Sequence, residues 1–337
     1  MTVLAGGVGG SRFVRGVRAA HPNASITVIG NTADDITMHG LRICPDLDTM
    51  MYALGDGIDD TKGWGRADEG WLIGEELKAY RMEPSWFGLG DRDIATHLVR
   101  NQLINAGYSA TEITAALSQR WLAGRDITLL PMTDQRVETH VIIADDDAPS
   151  GQRALHFQEF WVRLHAEPEV HQVLHVGIEK AHASTAVTEA ITGADLVLVA
   201  PSNPVVSIGP ILATHGVRAA LRSTGAPVIG FSPILGGTPV LGMAHKLLPA
   251  IGVEVDAAAV GLHYDSRTSQ GSRTSQGPGS LSGKGILDAW VMHESDAGSV
   301  DQVRAAGLAA TAVPLLMTTP QHTARFIEAG TRLVTSR

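Results

Sequence analysis

The sequence predicts an α/β protein: a Rossmann-like, mostly parallel sheet with helices on both faces, plus an inserted helical/β subdomain. Three observations carry this. A short apolar run, Thr2–Ala5, passes straight into Gly6-Gly7-Val8-Gly9-Gly10 and a helical segment, Ser11–Ala20. A second apolar run, Ser25–Gly30, follows at the spacing of a parallel crossover unit, since parallel strands need a long connection. The pattern returns late in the chain: Ala194–Ala200 is a continuous apolar run of the kind buried on both faces of a sheet. It is followed by a polar loop, a helix from about Gly209 to Arg222, and a further strand, Pro227–Ser232. Leu287–Met292 and Ala312–Leu316 read as additional strands.

Residues 65–125 read as mainly helical, near Glu69–Tyr80, Asp93–Ala106 and Thr111–Trp121. Glu138–Ala144, Ala154–Val162 and His171–Val176 read as strands. The expected organisation is one unit over residues 1–337 with an insertion at roughly 65–180. Residues 266–284, where Ser-Arg-Thr-Ser-Gln-Gly occurs twice in succession, are polar and rich in Gly and Ser. Such a stretch cannot form a core, so a mobile surface loop is expected. Arg267, Arg273 and Lys284 leave a phosphate-grasping lid as the other reading.

Composition narrows the function classes. The chain has 337 residues, enough for a sizeable core, and 44% are apolar, as in ordinary globular proteins. With 35 acidic against 26 basic residues the formal charge is −9, which gives no electrostatic reason to bind nucleic acid. Cys44 is the single cysteine, so no intramolecular disulfide forms. The opening residues lack the basic and apolar regions of a signal peptide, and no apolar run approaches a membrane span. A cytoplasmic protein with no membrane partner is expected.

Five clusters carry the chemistry. Glycines at 6, 7, 9 and 10 let bare amides approach a ligand at a helix N-terminus, which favours an anion. Arg12 stands where the dinucleotide fingerprint needs its third glycine, and no Gly-Lys-Ser/Thr follows, so neither motif is met. Asn31-Thr32-Ala33-Asp34-Asp35 follows the second strand, at the edge where ligands collect; Asn31 and Asp35 are its candidates. Cys44-Pro45-Asp46-Leu47-Asp48-Thr49 places two carboxylates at i and i+2, on one side if the chain is extended. Such a pair suits Mg²⁺, while a helix cap explains Asp48 equally well.

The fourth cluster is Gly90-Asp91-Arg92-Asp93 with His97 four residues on, where Asp93 and His97 share a helix face. A solvated ion-pair network is its plainer reading. The fifth is Ser202-Asn203-Pro204-Val205-Val206-Ser207, echoed by Ser232-Pro233-Ile234-Leu235-Gly236-Gly237 one strand later. Ser202, Asn203, Ser207, Pro233, Gly236 and Gly237 offer neutral groups for phosphate or a nucleobase edge. Gly-x-Ser-x-Gly and zinc-binding spacings are absent.

Together these blocks resemble the 2-phospho-L-lactate transferase family, most closely its actinobacterial branch. The matching segments are residues 5–10, 44–49, 89–97 and 201–210, in the family order, with a further match over residues 156–162. The resemblance implies that a deazaflavin alcohol, 7,8-didemethyl-8-hydroxy-5-deazariboflavin (Fo), attacks a guanosine diphosphate ester through its ribityl hydroxyl. GMP leaves, and Fo becomes joined to L-lactate or enolpyruvate in coenzyme F-420-0 or its dehydro form. It further implies Mg²⁺ at Asp46 and Asp48, with Asp35 a weaker third ligand, the guanylate on the loops at 6–10, 202–209 and 232–237, and Asp91, Arg92 and Asp93 near Fo. Asp48 is the provisional proton acceptor. The doubled insert departs from the family, which passes through a shorter loop after His263-Tyr264. A homodimer is left open. The alternatives are a non-catalytic nucleotide-sugar-binding regulator of this fold and an NAD-dependent oxidoreductase resting on the glycine loop alone.

Overall fold

The computed structural model describes residues 1–240, 242–265, 267 and 285–335. Seven strands form one sheet in the order Ala309–Ala312, Ala289–Met292, Val228–Phe231, Val197–Val199, Thr2–Ala5, Ile26–Gly30 and Ile127–Pro131. Every neighbouring pair in it is parallel. Side chains alternate between two apolar layers: Leu4, Ile29, Val197 and Val199 enter one, Val3, Ala5, Val28 and Leu198 the other. A strand buried on both faces reads as a continuous apolar run for this reason.

The chain runs outward from Thr2–Ala5 through Ile26–Gly30 to Ile127–Pro131. It then returns to Val197–Val199 on the other side of the first strand and continues to the opposite edge. The order therefore reverses between Thr2–Ala5 and Val197–Val199, and a crevice opens there beyond the carboxyl ends of the strands. The loops after both strands, at 6–10 and 201–207, border it.

The insertion differs from its expected form. Ile127–Pro131, inside the expected 65–180 segment, is a strand of the main sheet. Two excursions flank it instead of one insertion. The first holds helices Leu72–Ala79, Asp91–Asn105 and Ala110–Leu122. The second is an antiparallel sheet with Glu138–Ala144 between Gln152–His156 and Val170–Val176. The expected strand at 154–162 stops at His156 and gives way to a π-helical turn, Glu159–Arg163. The expected helix at 209–222 is two helices, Ile208–Ala213 and Val217–Ser223, separated at Gly216, whose φ is 97°. The strand expected at 312–316 lies earlier, at Ala309–Ala312.

Residues 266 and 268–284, with Arg273 and Lys284, lie outside the described residues. Arg267 is described. Its guanidinium reaches Asp288 (2.8 Å) and the carbonyls of Ala226 (2.9 Å) and Thr224 (2.6 Å). These groups precede the strands Val228–Phe231 and Ala289–Met292, so Arg267 is anchored at the sheet edge opposite the crevice. Among the described residues no helix is long and apolar enough to cross a membrane.

Candidate active site

A cleft of about 1310 Å³ occupies the crevice. Its floor is a set of loops tied together across long sequence distances. Gly6 caps the helix Gly7–Ala20. The Gly6 amide donates to Ser202 Oγ (3.1 Å), and that hydroxyl donates back to the Gly6 carbonyl (2.7 Å). A Cβ on Gly6 would lie 2.6 Å from Asp46 Oδ2 and 2.8 Å from Ser207 Cβ, so only glycine fits. Gly10 makes the first helical bond, back to Gly6, at 3.3 Å. The amides of Val8 and Gly9 remain without a helical acceptor and border the cleft.

Asn31 is the hidden tie. Its Nδ2 donates to Asp46 Oδ2 (3.0 Å) and to the Val206 carbonyl (3.1 Å), joining three loops. Its Oδ1 accepts from the Ala33 amide (3.0 Å). Asn203 acts locally, accepting from the amides of Val205 (2.9 Å) and Val206 (3.3 Å).

The two carboxylates of the Cys-Pro-Asp-Leu-Asp block correct the extended-chain expectation. Pro45 is the first residue of a helix, Pro45–Leu54, because its fixed φ suits a helix start and its missing amide costs nothing there. In a helix, positions i and i+2 diverge. Asp46 turns to the glycine loop, where Asn31 and the Gly7 amide hydrogen-bond it. Asp48 turns to helix Asp91–Asn105 and forms a buried ion pair with Arg100. His97 Nδ1 lies 3.8 Å from Asp48 and 3.0 Å from Arg100 Nη1.

The carboxylate that faces Asp46 is Asp34. Both line the cleft. Burial pushes Asp46 up to about 6 despite its hydrogen bonds. Asp34 is raised well above the usual range, first by burial and then by the charges of Asp46 and Asp35. Asp34 Oδ1 is buried without a hydrogen-bond partner. Two buried acids, one of them raised by the charge of the other, with an orphaned oxygen between phosphate-type loops, fit a divalent cation that takes one or two carboxylates and fills its shell with water and phosphate oxygens. Among the described residues no three His, Cys, Asp or Glu side chains form a closed metal cage. Asp35 is turned away, to Arg42 (3.3 Å) and the Cys44 thiol, which donates to it (3.0 Å).

The Gly-Asp-Arg-Asp block is divided by helix geometry. The Asp91 carboxylate accepts from the amides of Leu72 (3.2 Å) and Ile73 (2.9 Å), tying down helix Leu72–Ala79. Arg92 is exposed, off the cleft wall; its amide donates to Glu69 (2.6 Å) and its carbonyl accepts from Arg66 (2.9 Å). Asp93 and His97 line the cleft. Burial lowers His97 to about 4, so it is neutral near pH 7.

Of the other expected residues, Gly6, Gly7, Gly9, Ser202, Asn203, Ser207 and Pro233 line the cleft. Gly10 and Asn31 stand behind the wall. Gly236 and Gly237 are turned to the surface, where the Gly236 amide donates to Asp296 (3.0 Å). Sequence reasoning passed over several lining residues. Arg12 was noticed only as a missing glycine, yet it lines the cleft one helical turn beyond the loop. Trp64, Phe87, Phe157 and Trp161 give the outer half an aromatic character, and Lys62 lies over the rings of Trp64 (5.7 Å) and Trp71 (5.0 Å). Isolated aromatics carry no spacing signal; only the match over residues 156–162 contained two of them, Phe157 and Trp161.

The geometry defines an α/β protein with an anion-type floor at the topological switch point and an aromatic outer wall. The chain belongs to the 2-phospho-L-lactate transferase CofD family, whose sequence profile matches residues 1–315, and is a transferase of that family. It is 51% identical over 324 residues to the phosphoenolpyruvate transferase of Streptomyces griseus, covering 96% of this chain and 95% of that one. It is 49% identical over 352 residues to the phosphoenolpyruvate transferase of Mycobacterium avium, covering 99% and 98%. A crystal structure of a UPF0052 family protein from Bacillus halodurans shares the fold with a TM-score of 0.62, at 16% identity and 97% coverage of both chains.

Proposed function

We propose that this chain moves a phosphoenolpyruvyl group, or its 2-phospho-L-lactyl counterpart, from a guanosine diphosphate ester to the ribityl hydroxyl of Fo. GMP is released, and the product is dehydro coenzyme F-420-0 or coenzyme F-420-0. The relatives named phosphoenolpyruvate transferase favour the first acid. One observation carries the reading: a single cleft joins an amide-lined, acid-paired floor to an aromatic wall. At about 1310 Å³ it exceeds the roughly 300–1,000 Å³ of a one-ligand pocket, so two substrates fit side by side.

Phosphoryl transfer asks the protein for positioning and charge neutralisation more than for covalent help. The Val8 and Gly9 amides and Arg12 support the diphosphate. Trp64, Phe87, Phe157 and Trp161 offer faces for a flat tricyclic ring. Asp34 and Asp46 would hold Mg²⁺, which neutralises charge developing on phosphate oxygens. Asp48 serves instead by holding Arg100 and, through it, the helix that presents Asp93 and His97.

Incubating the protein with Fo, Mg²⁺ and each guanylated acid, then weighing the products, tests the reaction. A mass gain on Fo equal to the phospho-acid, with GMP appearing in equal amount, is the expected result. Binding of GDP without turnover of either ester would return the protein to the regulator reading. Calorimetric preference for NAD over GDP would return it to the oxidoreductase.

A further inference from the structure

The attacking hydroxyl must lose a proton, and among the described residues five acids line the cleft: Asp34, Asp46, Asp48, Asp60 and Asp93. Four are already engaged. Asp34 and Asp46 face each other on the floor. Asp48 is held by Arg100. Asp60 is largely exposed and pairs with Arg15 (2.7 Å). Asp93 is different. It sits in the first turn of helix Asp91–Asn105, half-buried in the cleft wall, with its Oδ1 buried and lacking a hydrogen-bond partner. Its Oδ2 faces Gly65, which has a φ of 70° and brings no side chain against the carboxylate.

Resting on the transferase reading above, we propose that Asp93 is the proton acceptor for the attacking hydroxyl. Its carboxylate takes the proton as the hydroxyl oxygen bonds to the phosphorus that carries the three-carbon acid. The bond from that phosphorus to the bridging oxygen breaks, and the electron pair leaves on that oxygen as GMP. The proton then passes from Asp93 to water in the cleft, so the carboxylate is regenerated.

The surroundings suit the task. Burial, then the charge of Asp48, push Asp93 up to about 7; Glu69 adds to the rise, while a Tyr52 hydrogen bond and Arg66 oppose it. Asp48 and Tyr52 face it from helix Pro45–Leu54, Arg66 and Glu69 from the connecting loop, and neutral His97 from its own helix. Tyr52 is itself held by a hydrogen bond to Thr96 (2.9 Å). A base whose pKa lies near the working pH is the most effective one, and such a base contributes about 10²- to 10⁴-fold.

The test uses the full chain with Fo and the guanylated acid. Asp93→Asn should lower kcat by roughly 10²- to 10⁴-fold while GDP affinity, by calorimetry, stays within about twofold. Wild-type kcat should fall as pH drops below about 7, where Asp93 is protonated. At saturating Mg²⁺, which competes with the protons on Asp34 and Asp46, the residual rate of Asp93→Asn should lack that limb, and Asp93→Glu should restore the limb at a reduced rate. A loss below about tenfold in Asp93→Asn, or a limb that survives in it, overturns the proposal while leaving the transferase reading intact. A wild-type protein that forms no product overturns both. If circular dichroism shows Asp93→Asn unfolded, a wild-type profile flat across this range overturns the proposal by itself.

Discussion

The floor of the cleft and its outer wall are held by different forces. On the floor, Gly6, Asn31, Asp46 and Ser202 are buried and joined by hydrogen bonds of 2.7–3.1 Å between segments as much as 196 residues apart. In the segment that carries the wall residues Trp64 and Phe87, helix Leu72–Ala79 buries none of its residues, and Trp64, Leu72, Tyr80 and Met82 are exposed. A network of satisfied buried polar groups specifies one geometry, because any slip leaves a group unpaired at a cost of about 1–3 kcal/mol. A wall with few buried contacts belongs to the low-stability end of a protein, where binding segments move. On the proposed reaction, donor phosphates would meet a preorganised surface and the flat acceptor an adaptable one.

The largest expected effect tests the ion pair that joins the two regions. Asp48→Asn leaves the Arg100 guanidinium buried and unpaired, so urea unfolding should show a loss of about 3–5 kcal/mol. A loss below about 1 kcal/mol would mean that wall and floor stand independently. Next comes Asp46→Asn, which strips the floor of a charge but keeps its shape and its bond to Asn31. Turnover should fall roughly a hundredfold or more, with the unfolding midpoint almost unchanged. Near wild-type turnover at limiting Mg²⁺ would remove Asp46 from the ion.

A smaller effect concerns pH. Asp46 and Asp34 have folded-state pKa values raised above the unfolded value of about 3.9, the former to about 6. A raised carboxyl contributes stability that is present at low pH and is lost as pH rises through the folded pKa. Between about pH 4 and pH 6 the metal-free protein should therefore lose stability from Asp46, and Asp34 adds a loss in the same direction. Mg²⁺ competes with the protons, so it should raise Tm at about pH 8, by roughly 2–4 °C per kcal/mol, and hardly at all at about pH 5. An equal shift at both pH values would place the ion elsewhere. The smallest effect belongs to Arg92→Ala. Its exposed side chain lies off the cleft, so KM for Fo should stay within about twofold. A tenfold rise would show that the wall folds inward when Fo binds.

Much of this was legible in the sequence. Apolar runs ending in glycine or polar loops located five of the seven strands and put the ligand edge at residues 6–10 and 201–207. The strand Ile127–Pro131 escaped because it is enclosed between helical and antiparallel segments, so no crossover pattern surrounds it. Ala309–Ala312 was displaced by a few residues because alanine and threonine mark no boundary. The carboxylate blocks were found, but the fold sets their members apart: Asp34 lines the cleft and Asp35 does not, Asp93 lines it and Arg92 does not, and Asp46 and Asp48 point to different partners.

The amino-acid sequence by itself determined the α/β class, the glycine turn and the blocks that supply the cleft, because these rest on local periodicity and on backbone geometry within a few residues. Only the tertiary structure decided which member of each block faces a ligand. In the turn at 31–35 and in both helix starts, neighbouring residues point in different directions. Which direction is buried depends on groups such as Arg100, 52 residues from Asp48, and Val206, 175 residues from Asn31. Burial then set the charge states: the same aspartate chemistry yields a locked ion pair at Asp48, a coupled pair at Asp34 and Asp46, and a carboxyl near neutrality at Asp93. Desolvation and neighbouring charge act through space, and linear spacing holds no measure of either.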